Sequence, residues 1–143
     1  MTRALTRSNE HYQWGMGVMT SLAVTTLVKR IVSVAALAMA VVVTLELAFG
    51  YGATTPIPSN VQWTCMTAAY TMGALWWFGP WPTLGQAFAF VIIADLAIFG
   101  ATITANFAPE VTLGKCTFLI PMGMLAGFFF DKWRLAAHIA ACL

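Results

Sequence analysis

Four long apolar runs constrain this chain more than any other feature. Residues 31–50, 61–78, 84–105 and 116–130 are almost free of charged side chains. A helix needs about 20 predominantly apolar residues, at about 1.5 Å rise each, to cross hydrocarbon. The breaks between the runs, YGATTPIPSN, GPWPT and NFAPEVTLG, are rich in proline, glycine and polar residues and too short to fold alone. Consecutive spans are therefore expected to pack as antiparallel neighbours. The expected fold is an all-α membrane protein: a four-helix transmembrane bundle with an N-terminal interfacial helix and a short C-terminal helix.

Composition agrees with that reading. Hydrophobic residues make up 60% of the 143 positions and charged ones 8%, whereas soluble domains are about one quarter charged. A β-barrel of the outer-membrane type is excluded, because stretches such as VSVAALAMAVVVTL are apolar on all faces rather than on every second one. Nucleic acid is not an expected partner: the net charge is +2, and the basic residues form no stripe that follows a phosphate backbone. The polar stretch TRSNEHYQW separates the start of the chain from the first long run, so the N-terminal segment is expected to be retained rather than cleaved.

Lysine and arginine set the expected orientation. Arg3, Arg7, Lys29 and Arg30 precede the first run and Lys132 and Arg134 follow the fourth, which predicts a multi-pass protein of the cell membrane with both termini cytoplasmic. Three regions follow: residues 1–30 as a cytoplasmic segment with an interfacial helix, 31–130 as the four-span bundle, and 131–143 as a helix on the cytoplasmic side. Within residues 12–28, Tyr12, Met16, Met19, Leu22 or Ala23, and Leu27 form a rough helical stripe, which places that helix on the inner surface. Trp14, Trp76, Trp77, Trp81 and Trp133 fall near the same interface, where indole rings anchor. The closing LAAHIAACL is apolar but short, and reads either as a surface helix or as a fifth span cut short.

Asp95 interrupts the third run near its middle. A carboxylate there costs about 2.5–3.5 kcal/mol on insertion scales, so it needs a partner or a purpose. Tyr70 lies at a similar depth in the second run, so the geometry permits a phenol–carboxylate hydrogen bond across the helix interface, with Tyr70 or another polar group as partner. Three roles compete: a structural contact, a ligand or signal-sensing site, and an ion or proton site. Glu46 and Lys115 fall near the outer ends of the first and fourth runs, where an exposed ion pair worth less than about 1 kcal/mol is expected. The sharper alternative adds Glu110 and makes the three residues the mouth of an outward-facing ligand site.

No cofactor or metal is expected. The three cysteines show no metal-ligand spacing, and His11 and His138 are both placed at the inner surface, outside the spans. Cys65 and Cys116 share an outer depth that permits a disulfide, although small buried hydrophobes are the commoner case. No phosphate loop, HExxH, GxSxG or acid/base pair of carboxylates is present, so no catalytic residue is assigned. Small residues, Ala35, Ala36, Ala38 and Ala40, Gly100, and Gly123 with Gly127, permit close helix approach inside one bundle or between two copies.

The order SNEHYQW, KRIV, WPTLGQAFAFVIIADLAI, LGKCTF and GFFFDKWRLAAHIA resembles the N-terminal membrane-sensor region, of MASE type, of actinobacterial diguanylate cyclases. The resemblance rests on WPT, Gln86, Ala94-Asp95, the run Gly114 to Phe118 and Ala137-His138. Members commonly carry basic residues directly after WPT and a histidine after the paired phenylalanines, where this chain has Leu84-Gly85 and Phe130. The resemblance implies a non-catalytic membrane input domain for cyclic di-GMP signalling, a downstream GGDEF output domain and a homodimer. The alternative is a small four-span transporter or an accessory subunit of a larger membrane complex.

Overall fold

The computed structural model describes residues 2–105, 114–130 and 132–142, and over these it is helical, with no strand among the described residues. Among the described residues six α-helices follow in order: α1 Thr2–Ser21, α2 Thr25–Ala48, α3 Pro56–Phe78, α4 Leu84–Ile103, α5 Leu119–Phe129 and α6 Lys132–Cys142. A 3-10 turn, Lys115–Phe118, leads directly into α5. Two helices, Thr25–Ala48 and Leu84–Ile103, are long and apolar enough to cross a membrane. The Lys115–Phe129 segment is apolar but shorter.

Local sequence explains the boundaries. Helix α1 ends where Val24 N–H reaches Met19 O and Ala23 N–H reaches Thr20 O, the paired bonds that satisfy the last carbonyls of a helix. Ala23 takes the left-handed conformation that this ending requires, at φ 54°. The helix expected within residues 12–28 is thus divided, and Thr25 to Arg30 belong to α2. Helix α2 ends similarly: Gly50 sits at φ 77° and Tyr51 N–H bonds Glu46 O. Pro56 starts α3 at a position where its missing N–H costs nothing. Thr83 and Gln86 form a reciprocal capping box that fixes the first turn of α4.

Close packing follows glycine. A Cβ on Gly73 would lie 2.6 Å from Leu37 Cγ, so α2 and α3 approach there with no room for a side chain. Ser33 Oγ donates to Gly73 O at 2.6 Å across the same contact. Where α3 meets α4, a Cβ on Gly100 would meet Cys65 Sγ at 3.0 Å. The Gly123/Gly127 pair does not serve a matching approach among the described residues, since a Cβ on Gly127 would meet none of them within 4 Å.

Two apolar clusters fill the bundle. One contains Tyr12, Trp76, Phe90, Phe129 and Phe130, with Trp81 packed against it. Its rings interlock, with centroids 5.0 Å apart for Trp76 and Phe90 and 5.7 Å for Trp81 and Phe129. The other, toward the opposite ends of α2 to α4, contains Met39, Val43, Cys65, Ile98 and Ala101. Helix α1 lies across the aromatic cluster: Tyr12 O–H donates to Pro82 O and accepts from Trp81 Nε1 at 2.8 Å. Meanwhile Leu96, Phe99 and Ile103 of α4 and Ile120 and Met124 of α5 face outward. Large apolar side chains are thus exposed, while Ser33, Gln62, Asp95, Glu46, Lys115 and His138 are buried beside the apolar core.

Candidate functional site

The buried stripe of α4, Ala87, Phe90, Val91, Asp95, Ile98 and Ala101, repeats at three- and four-residue intervals and turns Asp95 into the bundle. The chain leaves α5 at Phe130 in an extended conformation, and α6 then packs against α4 and α5. This return brings His138 to Asp95, with Nδ1 and Oδ2 2.7 Å apart. Both side chains are buried. Asp95 Oδ1 has no hydrogen-bond partner among the described residues. Gly123 leaves space beside the imidazole, since a Cβ there would lie 3.6 Å from His138 Nε2.

Two expectations are corrected here. Tyr70 is not the partner of Asp95: it is 37% exposed and its hydroxyl lies 3.1 Å from Thr44 Oγ1. The reason is rotation about the helix axis. Gln62, Cys65, Ala69, Gly73 and Trp76 form the buried face of α3, and Tyr70, one residue beyond Ala69, is turned about 100° away from it. His138 is likewise not a surface residue, because α6 folds back along α4 rather than continuing away from the bundle.

The structure does bring Glu46 and Lys115 together, with Nζ 2.7 Å from Oε2. They are 5% and 3% exposed, so the expected exposed pair is instead a buried one. Lys115 Nζ also donates to Ala101 O at 2.9 Å, which ties the 3-10 turn to both α2 and α4. Glu110, the third member of the suggested outer site, lies outside the described residues. Sequence reasoning missed Gln62, which is fully buried in the same end of the bundle. Its Oε1 accepts from Ala53 N–H at 2.8 Å and its Nε2 donates to Thr104 O at 3.3 Å, joining the α2–α3 connection to the end of α4.

The remaining candidates stand apart. Cys65 is buried and Cys116 half-buried, and both are free thiols. His11 stacks on Trp14, with centroids 5.9 Å apart. No three of His, Cys, Asp and Glu converge on a metal position among the described residues. A narrow apolar crevice of about 40 Å³ separates α2, α3 and α4, lined by residues that include Met39, Ala69, Met72, Phe90 and Met122. Neither Asp95 nor His138 lines it. At the aromatic end, burial pushes the Tyr12 phenol above its ordinary value, against the opposing effect of the Trp81 hydrogen bond.

Chemically, the Asp95–His138 pair can hold and share a proton, and it links the C-terminal helix to the middle of α4. Compared with known protein families, curated proteins and solved structures, the chain matches none.

Proposed function

We propose that this chain is a non-catalytic membrane input domain, in which a state sensed within a four-span bundle changes its helix packing and is passed to a cytoplasmic output. The four spans are α2, α3, α4 and the Lys115–Phe129 segment, with α1 lying along the inner surface. Helix α3 is less apolar than α2 and α4 but carries no charged side chain over its 23 residues. Four residues of 3-10 helix and eleven of α5 give the last span a length of about 25 Å, close to a hydrocarbon core of about 30 Å. Buried ion pairs inside and exposed leucine and phenylalanine outside support lipid as the surrounding medium.

The observation that carries the reading is the buried Asp95–His138 contact. It fastens α6 to the interior of the bundle, so that a change at the buried pair changes how the helices pack, which is what an input domain requires. The resemblance to membrane-sensor regions of diguanylate cyclases supplies the expected output, synthesis of cyclic di-GMP in the cytoplasm. The test joins a diguanylate cyclase catalytic domain through a flexible polar linker to the N-terminus, beside α1, and measures cyclic di-GMP in cells. Asp95→Leu and His138→Leu are expected to shift output several-fold at equal membrane abundance, whereas Ile57→Ala, on the exposed start of α3, leaves it unchanged. Equal output from all four chains would overturn the reading.

A further inference from the structure

We propose that the groove between α3 and α4 binds an anionic phospholipid of the surrounding membrane, with an acyl chain in the groove and the phosphate beside Lys29 and Gln86. The inference rests on the input-domain reading and names a ligand for that bundle.

The sequence builds the groove from two facing stripes. Met72, Leu75 and Gly79 recur at three- and four-residue intervals along α3 and its end, and Gln86, Ala89 and Ile93 do the same along α4. Gly79 and Ala89 fill little of the space between them, and Pro80 and Pro82 carry the chain across its end. The groove has a volume of about 290 Å³. Trp76 and Phe90, buried and with ring centroids 5.0 Å apart, form its floor, while Leu75 and Ile93 stand exposed at its walls.

Depth matches one leaflet. Met72, Phe90 and Ile93 also border the crevice of about 40 Å³ among α2, α3 and α4, which the short side chains of Ala35, Ala69 and Ala94 leave open. The groove therefore continues from the end of α3 toward the centre of the bundle. The rise along α3 from Gly79 to Ala69 is about 15 Å, half of a hydrocarbon core of about 30 Å. A chain anchored at Gly79 reaches the crevice.

Charge selects the headgroup. Lys29 Nζ donates to Gly79 O, which occupies one of its three N–H groups and sets the ammonium at the mouth. Gln86 Oε1 accepts from Thr83 N–H at 2.9 Å and from Thr83 Oγ1 at 3.1 Å, so the capping box leaves the amide Nε2 unused. Arg30 adds a second cation at this end of α2, over the Trp77 ring. Asp95 is the single charged residue on α3 and α4, and it does not line the groove. Donors and positive charge at the mouth, with hydrocarbon walls beyond, match the polarity of an anionic amphiphile in the cytoplasmic leaflet of the proposed orientation.

The experiment uses the full chain in phosphatidylcholine nanodiscs. Traces of phosphatidylglycerol or phosphatidylcholine, each with the same diazirine-bearing acyl chain, are irradiated with it, and the adducts are located by mass spectrometry. Adducts are expected on Met72, Phe90 and Ile93, about fivefold more from the phosphatidylglycerol probe, the preference that one lysine near the headgroup confers. In Lys29→Gln the two probes should label the groove equally. In Ala89→Trp, whose indole fills the groove from an exposed position, groove adducts should fall several-fold, while those at the outward Val34 and Phe99 stay as in the wild type and report an intact fold. Equal labelling by the two probes in the wild type, a preference that survives Lys29→Gln, or groove adducts unchanged by Ala89→Trp would overturn the site. An unlabelled groove, as when a second copy of the chain covers it, would overturn it as well. No output domain is attached, so failure here is separate from failure of the input-domain reading, which would appear as fused output insensitive to Asp95 and His138.

Discussion

Gly73→Ala tests the packing that sets the position of α3 against α2. A methyl group at this position would stand 2.6 and 2.7 Å from Leu37 Cγ and Cδ2 and 3.4 Å from Leu37 N. Ordinary carbon contacts begin near about 3.5 Å, so about 1 Å must be found. Rotation of Leu37 alone does not supply it, since Cγ is close to the backbone and the backbone nitrogen is itself near. The helices must separate, which also stretches the Ser33–Gly73 hydrogen bond one turn earlier on α2. Overpacking costs about 1–3 kcal/mol, and a membrane hydrogen bond adds about 0.6 kcal/mol. A loss of about 2–3 kcal/mol is therefore expected, read by denaturation in mixed micelles followed by circular dichroism. The order matters more than the size. Gly100→Ala, facing the more yielding Cys65 Sγ and Val61, should cost less, and Gly127→Ala, with open space around it, should cost nothing. Leu37→Ala should restore part of the stability lost by Gly73→Ala. Wild-type stability for Gly73→Ala, or no rescue by Leu37→Ala, would refute the close approach.

Removing one member of the buried Glu46–Lys115 pair should cost about 3–5 kcal/mol, while the Glu46→Gln/Lys115→Met double variant should recover most of it; the same denaturation assay arranged as a double-mutant cycle decides. Gly50→Ala should destabilise by about 1 kcal/mol because φ is 77°, whereas Ala23→Gly, at φ 54°, should be neutral or slightly stabilising; equal effects of the same sign would contradict the helix endings described. Tyr12→Phe should lose about 1 kcal/mol at neutral pH, with the Pro82 and Trp81 contacts gone. The buried phenol titrates above its unfolded value of 10.0, so its contribution is full below that pH and disappears as pH rises through the raised value. In alkaline unfolding the wild type should therefore converge on the phenylalanine variant, and parallel curves would contradict this.

What the sequence made legible was position along each helix. The charge-poor runs locate α2 to α5 to within a few residues at most ends, and WPT with Gln86 marks the capping box that starts α4. Position around each helix was less accessible. Asp95 and Tyr70 share a depth along their runs, but the hydrophobic stripe that would orient α3 is blurred, because its exposed face, with Ile57, Trp63, Leu75 and Phe78, is as apolar as its buried one. The burial of His138 was missed because the charged DKWR cluster before it reads as the end of the membrane region. The lone histidine in LAAHIAAC was the available signal, since an isolated polar group in an apolar segment calls for a buried partner. Gln62 had no such signal: its partners are the backbone groups of Ala53 and Thr104, which any sequence supplies. Burial of Glu46 and Lys115 depended on how the 3-10 turn folds over the helix ends, which spacing along the chain does not encode.

The central claim is that the C-terminal helix is fastened to an acid in the middle of α4, and the most direct measurement is internuclear dipolar coupling in a lipid bilayer. The chain is prepared with Asp131→Asn and His11→Gln, which leaves Asp95 and His138 as the single aspartate and histidine. Aspartate is labelled with ¹³C at Cγ and histidine with ¹⁵N in the ring, and dephasing is recorded by magic-angle-spinning NMR. With Oδ2 2.7 Å from Nδ1, strong dephasing of the Asp95 carboxyl signal by ring nitrogen is predicted. An Asp95 signal without dephasing from His138, exchanging instead with water, would contradict the account.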